Sequence, residues 1–387
     1  MVDFTFASRT NLIFGEKKIE KLKTYLPNNA RVLFLYGGGS IKSNGIYERT
    51  KAALEGLHFV EFSGIEPNPH YDTCIRAAEV IKKEKLNFVL AVGGGSVMDA
   101  SKFIALAAKY EGNDAWEDIM NKRVHIVPVE LGVIATLPAT GSEMNNGFVI
   151  SNIELSKKQG CGSPYTVPMF AICEPSCTLT LDQRQTTNGI ADSFVHVTEQ
   201  YLVGREGTYL QDRWAEGVLL SLINDSAPAL MKNLGDLEAR RSLMFAATMA
   251  LNGYIGMGVG VMDWATHMIG HELTILYGVD HGQTLTAVLP SLLRVQFDIK
   301  KEKLAVYGKN VFGLSGSEDE VAKKAIEATE EFFRFIKSPV RISECAAIAA
   351  DAPEVVSRRF AERGALLGEK GSINAAKVKE ILLLAQK

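Results

Sequence analysis

The sequence lacks any uninterrupted apolar run of roughly 18 residues, and its opening, MVDFTFASRTNLIFG, has no basic stretch leading into an apolar one. Neither membrane insertion nor export is expected, and a cytoplasmic protein is the reading. Charge of one sign is lacking too: 42 Lys and Arg stand against 45 Asp and Glu, a formal net charge of −3. No broad positive field exists to hold a polyphosphate backbone, so nucleic acid is not an expected partner. Cysteine is scarce, odd in number and never spaced CxxC: Cys74, Cys161, Cys173, Cys177 and Cys345. Cys173 and Cys177 resemble half a metal site, but no second thiol pair completes it, so reduced, buried thiols are expected. What is present is a globular composition, 47% hydrophobic and 22% charged over 387 residues, enough for two to three domains at roughly 150 residues each.

The first half alternates short apolar runs with helical patterns, as a parallel sheet with crossover helices requires. Arg31 to Tyr36 and Phe88 to Val92 are nearly unbroken in hydrophobicity, the signature of strands covered on both faces. His58 to Ser63, Gly132 to Leu137 and Phe170 to Cys173 read as further strands; Tyr47 to Leu57 and Tyr71 to Lys85 read as helices. Beyond about Arg184 the texture becomes alanine- and leucine-rich with glycine caps, which predicts helices. The expected fold is therefore an α/β, Rossmann-like parallel-sheet domain over residues 1–184 followed by an all-α domain over 185–387. The charged windows Phe297 to Leu304 and Glu318 to Lys337 read as solvated helix faces.

Both of the clearest strands run into the same tetrapeptide, Gly37-Gly38-Gly39-Ser40 after the first and Gly93-Gly94-Gly95-Ser96 after the second. Glycine between strand and helix lets backbone approach a phosphate, and the free amides of the next helical turn point at it. The ordinary GxGxxG pattern is absent, since Lys42 and Met98 take its third glycine position. Asp99, in the first turn of the second helix, suits either compensation of the helix dipole or a contact to ribose or nicotinamide. Gly38, Gly39 and Ser40 carry no acid for a ribose 2′-hydroxyl, and Lys42 is near, so a 2′-phosphate and hence NADP(H) is expected there. Thr136 to Glu143 (TLPATGSE) forms a third small-residue loop, suited equally to cofactor contacts or to a helix cap.

Seven histidines occur, and four of them, His196, His267, His271 and His281, lie in the helical half. Asp192-x3-His196 and His267-x3-His271 each place two side chains on one helix face. One carboxylate with three imidazoles is an acceptable set for Zn²⁺ or Fe²⁺, although spacing alone does not choose three of the four histidines. From Ser242 to Leu293 there is no Lys or Arg, and the only acids are Asp263, Glu272 and Asp280. Imidazoles in so apolar a segment need partners, which a cation supplies, and a small, largely neutral substrate fits it better than a phosphorylated one. His58, His70 and His125 have no acidic or thiol partner at ligand spacing and read as surface or loop residues.

These motifs, in order, resemble the iron-containing alcohol dehydrogenase family, most closely its NADPH-dependent aldehyde reductase and butanol dehydrogenase branch. The resemblance spans nearly the whole chain: a strand ending in Phe14-Gly15, GGGSxxD at Gly93 to Asp99, TLPATGSE, Asp192-x3-His196 and the His267/His271/His281 segment. It implies Asp192, His196, His267 and His281 as ligands of iron or zinc, with His271 beside substrate and nicotinamide, where an imidazole, suited to proton exchange near neutrality, is the expected catalytic proton carrier. It implies Gly94, Gly95, Ser96 and Asp99 as pyrophosphate and ribose contacts, and Thr136, Thr140, Asn145 and Lys158 as further cofactor contacts. A homodimer joined through N-terminal strands is implied as well. Asp280 stands where the family commonly has proline, as in the aldehyde reductase branch. The expected reaction is hydride transfer between NADP(H) and a small aldehyde or primary alcohol, with the metal polarising the carbonyl oxygen. A lyase resembling dehydroquinate synthase would need basic residues that Ser242 to Leu293 does not offer, and a metal-dependent hydrolase would leave both glycine loops idle.

Overall fold

The computed structural model describes residues 1–204 and 206–387, which divide into two compact units. The first comprises Ala7–Asp182 and Gly235–Thr248; the second comprises Met1–Phe6, Gln183–Leu234 and Met249–Lys387. A single break in chain order at residue 184 therefore does not describe the division, because the N-terminal hexapeptide and most of the helix Leu237–Ala250 each belong with the unit formed mainly by the other part of the chain. Among the described residues no helix is long and apolar enough to cross a membrane.

In the first unit, β1 (Asn11–Phe14), β2 (Arg31–Tyr36), β3 (His58–Phe62), β4 (Phe88–Gly93), β5 (Glu130–Ala135) and β8 (Phe170–Cys173) make one parallel sheet in the order β1-β8-β5-β4-β2-β3. Strand alternation sends Leu33, Leu35, Val89, Ala91 and Val133 to one face, against the helices Tyr71–Glu84 and Gly95–Ala107. Val32, Phe34, Phe88, Leu90 and Ile134 go to the other, with Ile19, Leu22 and Ile46. Each fully buried side chain of this kind contributes about 1.5–3 kcal/mol, which is why the strands tolerate no polar alternation. Gly132 makes room for the Phe170 ring: a Cβ there would lie 2.4 Å from Phe170 Cζ.

The remaining pair, β6 (Gly147–Asn152) and β7 (Lys157–Gly162), forms an antiparallel ribbon outside that sheet. Composition conceals it, since β7 reads KKQGCG and has no β-branched or aromatic residue. Its place is set by buried polar groups instead. Val149 N donates to Asp99 Oδ2 (2.8 Å), and Lys102 Nζ donates to Gly147 O (2.7 Å).

The second unit contains the helices Gln183–Tyr201, Ala265–Tyr277, His281–Val295, Phe297–Phe312 and Glu318–Phe335. Two glycines let three of these helices approach closely. A Cβ on Gly270 would meet Thr284 Oγ1 at 2.8 Å, and one on Gly282 would meet the Asn188 carbonyl oxygen at 2.7 Å. The reading of Phe297 to Leu304 as a solvated face is overturned at Lys300, which is buried between Asp263 (2.6 Å) and Glu369 (3.0 Å). Period alone hides this, because a lysine in a charged helical window looks the same whether or not a tertiary partner receives it. All five cysteines are free thiols, and burial pushes Cys177 up to about 12.

Candidate nucleotide loops and metal centre

The strand order reverses between β2 and β4, which are direct neighbours with Tyr36 opposite Val92; β5 lies beside β4 with Ala135 opposite Gly93. The loops Gly37–Ser40, Gly93–Ser96 and Thr136–Glu143 consequently leave the carboxyl ends of three adjacent parallel strands at the switch point, where open α/β sheets bind nucleotides. Thr136 N donates to Gly93 O (3.0 Å). Gly95 packs so tightly on Thr140 that a Cβ would lie 2.5 Å from its Cγ2. Gly39 sits at φ = +111°, a value that only glycine adopts readily, and leads into the short helix Ser40–Ser43.

Asp99 does not cap its helix. Its carboxylate is buried, accepting from Ser142 Oγ (2.7 Å) through Oδ1 and from Val149 N through Oδ2. The organising group is one that spacing did not single out. Lys102, one turn further along the helix, is fully buried and donates to Ser142 Oγ (2.8 Å), Asn145 Oδ1 (3.1 Å) and Gly147 O. Burial lowers its ammonium to about 8, with Asp99 opposing that shift, and burial likewise raises Asp99 while Lys102 opposes. A second junction runs through Asn68, at φ = +57°, whose amide donates to Ser96 Oγ (3.2 Å) and whose side chain accepts from Lys158 Nζ (2.8 Å). Near the first loop, Lys42 Nζ lies 5.3 and 5.0 Å from the ring centres of Tyr36 and Tyr47. Both tyrosine hydroxyls donate to Glu61, on the neighbouring strand β3, and hold its carboxylate. His70 is corrected: its Nδ1 lies 3.6 Å from Glu66 Oε1, an i,i+4 pair overlooked in the sequence.

In the second unit, Asp192 and His196 come from the helix Gln183–Tyr201, His267 and His271 from Ala265–Tyr277, and His281 from the first position of His281–Val295. The Nε2 atoms of His196, His267 and His281 lie 3.7, 3.6 and 3.7 Å from a single oxygen, Asp192 Oδ1. Asp192, His267 and His281 present ligating atoms that all fall within 4.8 Å of one another, and the His196 ring stacks on His267 at 4.5 Å. Ligands about 2.1 Å from one tetrahedral cation stand about 3.4 Å apart, so this spacing suits a divalent ion. His267 Nε2 is buried without a hydrogen-bond partner among the described residues, the condition a bound cation relieves. The residues therefore fit the group that the sequence implied.

His271 lies to one side, its ring 5.1 Å from that of His281 and 6.3 Å from that of His267. Glu199 is the residue the sequence reading missed here. Its Oε2 contacts His267 Nδ1 and its Oε1 accepts from Thr266 N (2.6 Å), which turns the other imidazole nitrogen toward Asp192. Burial draws the His267 ring down, but the carboxylates of Glu199 and Asp192 outweigh it and hold the ring up at about 9. The three acids of the stretch that lacks Lys and Arg are all matched from outside it: Asp263 by Lys300, Glu272 by Arg359 and Arg363, Asp280 by Arg184. Asp280 also accepts from Asn188 Nδ2 (2.7 Å), so the residue before His281 ties it to the helix bearing Asp192.

Residues 9–175 match the model of iron-containing alcohol dehydrogenases, and residues 186–385 match that of the C-terminal region of the Fe-containing alcohol dehydrogenase family. The chain is 43% identical to the NADPH-dependent aldehyde reductase YqhD of Escherichia coli over 96% of its length and 97% of that protein's. It is 37% identical to NADH-dependent butanol dehydrogenase A of Clostridium acetobutylicum over 98% of its length and 99% of that protein's. Its fold superposes on the crystal structure of E. coli YqhD with a TM-score of 0.96 at 41% identity, covering 100% of this chain and 99% of that one. The Thermotoga maritima NADH-dependent butanol dehydrogenase A gives 0.95 at 34% identity with the same coverage. The nucleotide loops, the acid-and-imidazole cluster and these matches agree: the chain belongs to the iron-containing alcohol dehydrogenase family.

Proposed function

We propose that the protein is an NADP(H)- and metal-dependent alcohol dehydrogenase and aldehyde reductase acting on small aldehydes and primary alcohols. The observation that carries the reading is the convergence of three imidazole nitrogens on Asp192 Oδ1 in a family of oxidoreductases. Residues 1–184 are assigned to the dinucleotide and 185–387 to the metal, with the two exchanged segments noted above. Asp192, His196, His267 and His281 would hold one Fe²⁺ or Zn²⁺. When bound, that ion supplies Lewis acidity toward the substrate oxygen, and the nicotinamide supplies the hydride.

The chain's own residues do the rest. Gly94, Gly95 and Ser96 offer backbone amides and a hydroxyl to the pyrophosphate at the start of the helix Gly95–Ala107. Gly38, Gly39, Ser40 and Lys42 receive the 2′-phosphate, while Tyr36 and Tyr47 keep the Glu61 carboxylate occupied. Asp99, Thr136, Thr140, Asn145 and Lys158 orient ribose and nicotinamide, the first and fourth through the Lys102 node. His271, one turn beyond His267, carries a proton to the substrate oxygen as the alcohol forms. A homodimer is proposed as the assembly. No observation favours the lyase or hydrolase alternatives.

Fall of NADPH absorbance with butanal and the Fe²⁺- or Zn²⁺-loaded protein tests the function. NADPH consumption that depends on aldehyde and is abolished in Asp192→Asn is the expected result. An inactive loaded enzyme would overturn the reaction class, and equal or better kcat/KM with NADH would overturn the cofactor choice.

A further inference from the structure

Trp264 precedes the helix Ala265–Tyr277 at φ = +56°, ψ = +6°. A bulky side chain in this left-handed region is an outlier that persists only where its surroundings enforce it. Here both flanks are pinned. Asp263 N donates to Glu199 O (3.1 Å), Asp263 Oδ1 accepts from Ala265 N (3.1 Å), and Asp263 Oδ2 faces Lys300 Nζ at 2.6 Å. Lys300 is itself buried and held by Glu369 and by Leu202 O (3.1 Å). On the other side Thr266 N is bound to Glu199 Oε1.

The enforced turn aims one ring at two others. The indole lies edge-on to His267 (5.4 Å between ring centres, 78° between planes) and to His196 (6.2 Å, 68°). Those two imidazoles come from different helices and stack on each other at 21°. Glycine would adopt the same turn without strain, whereas tryptophan adopts it at a cost in backbone strain while presenting its ring to the two imidazoles.

We infer that Trp264 is a positioning residue for the cation site: its left-handed backbone, enforced through Asp263 by Lys300 and Glu199, sets an indole wall that holds the His196 and His267 rings in ligating orientation. The inference rests on the metal reading above and predicts that ring removal loosens the site without unfolding the chain.

Co²⁺ serves as the probe, because its visible d–d absorption reports ligand geometry independently of turnover. Trp264→Gly keeps the turn and removes the ring, and Trp264→Phe keeps a ring. Expected is a Co²⁺ affinity at least about tenfold weaker in Trp264→Gly, with an altered d–d band, and recovery to within about threefold in Trp264→Phe. Wild-type affinity and spectrum in Trp264→Gly would overturn the inference alone, as would a Phe variant as impaired as the Gly one. A wild-type protein that takes up no Co²⁺ would overturn the metal reading and this inference with it.

Discussion

His267 and His271 occupy the same helix face one turn apart; His267 has its second nitrogen held by a carboxylate, Glu199, and its first within 3.6 Å of Asp192, while the His271 ring stands 6.3 Å from that of His267. His267→Ala is therefore expected to lose metal and activity together, whereas His271→Ala keeps its metal, measured by elemental analysis, and slows turnover about 10²–10⁴-fold. Lys102 gives a second test at this scale. Replacing it by Met leaves Ser142, Asn145 and Gly147 O short of a donor and the buried Asp99 without its neighbouring cation. The expected cost is about 2–3 kcal/mol in urea unfolding, together with a raised dissociation constant for NADPH measured by fluorescence. The candidate ligand set was legible in the sequence less from the i,i+4 spacing than from the company His267, His271 and His281 keep, a stretch without Lys or Arg in which imidazoles need partners. Their supporters were not. Glu199, Asp263 and Lys300 carry the same letters as solvated helix charges, and only tertiary pairing separates the two.

At the scale of elements, the helices bearing Asp192 and His281 touch through Gly282, where an added methyl would meet backbone of Asn188 rather than a side chain that can swing away. Gly282→Ala is expected to push these helices apart and weaken metal affinity about tenfold or more, with far-UV circular dichroism unchanged. The helix Glu318–Phe335 is tied to its neighbours differently, through Glu330, which meets Arg294 (2.6 Å) and Arg341 (2.8 Å). Burial pushes the Glu330 carboxyl up, but these guanidinium groups outweigh it and leave it below the ordinary value near 4.5. Its contribution is thus present above that value and lost as pH falls through the lowered one. Thermal midpoints of Glu330→Gln and the parent should differ at pH 7 and converge as the pH falls through that lowered value. The strands of the parallel sheet were legible as apolar runs, since burial on both faces removes alternation. The ribbon β6–β7 was not, because Asp99 and Lys102 position it rather than its own residues.

For the whole molecule, a cation bound only by the folded state adds stability by mass action, about 2.7 kcal/mol at a hundredfold excess over its dissociation constant. Dialysis against a chelator should lower the unfolding midpoint, and readdition of Zn²⁺ should restore it; Asp192→Asn should show neither change. The change of texture near Arg184 falls close to the Asp182/Gln183 limit between segments of the two units. The exchange of Met1–Phe6 and Gly235–Thr248 was not legible, since neither segment differs in composition from its surroundings. That exchange bears on synthesis. Glu143 is met by Thr248, and Leu181 O accepts from Arg240, so the sheet-bearing unit lacks part of its own body until nearly 250 residues have left the ribosome. A nascent chain arrested just past Asp182 should remain protease-sensitive, and one extended beyond residue 250 with room to clear the exit tunnel should gain resistance in a single step.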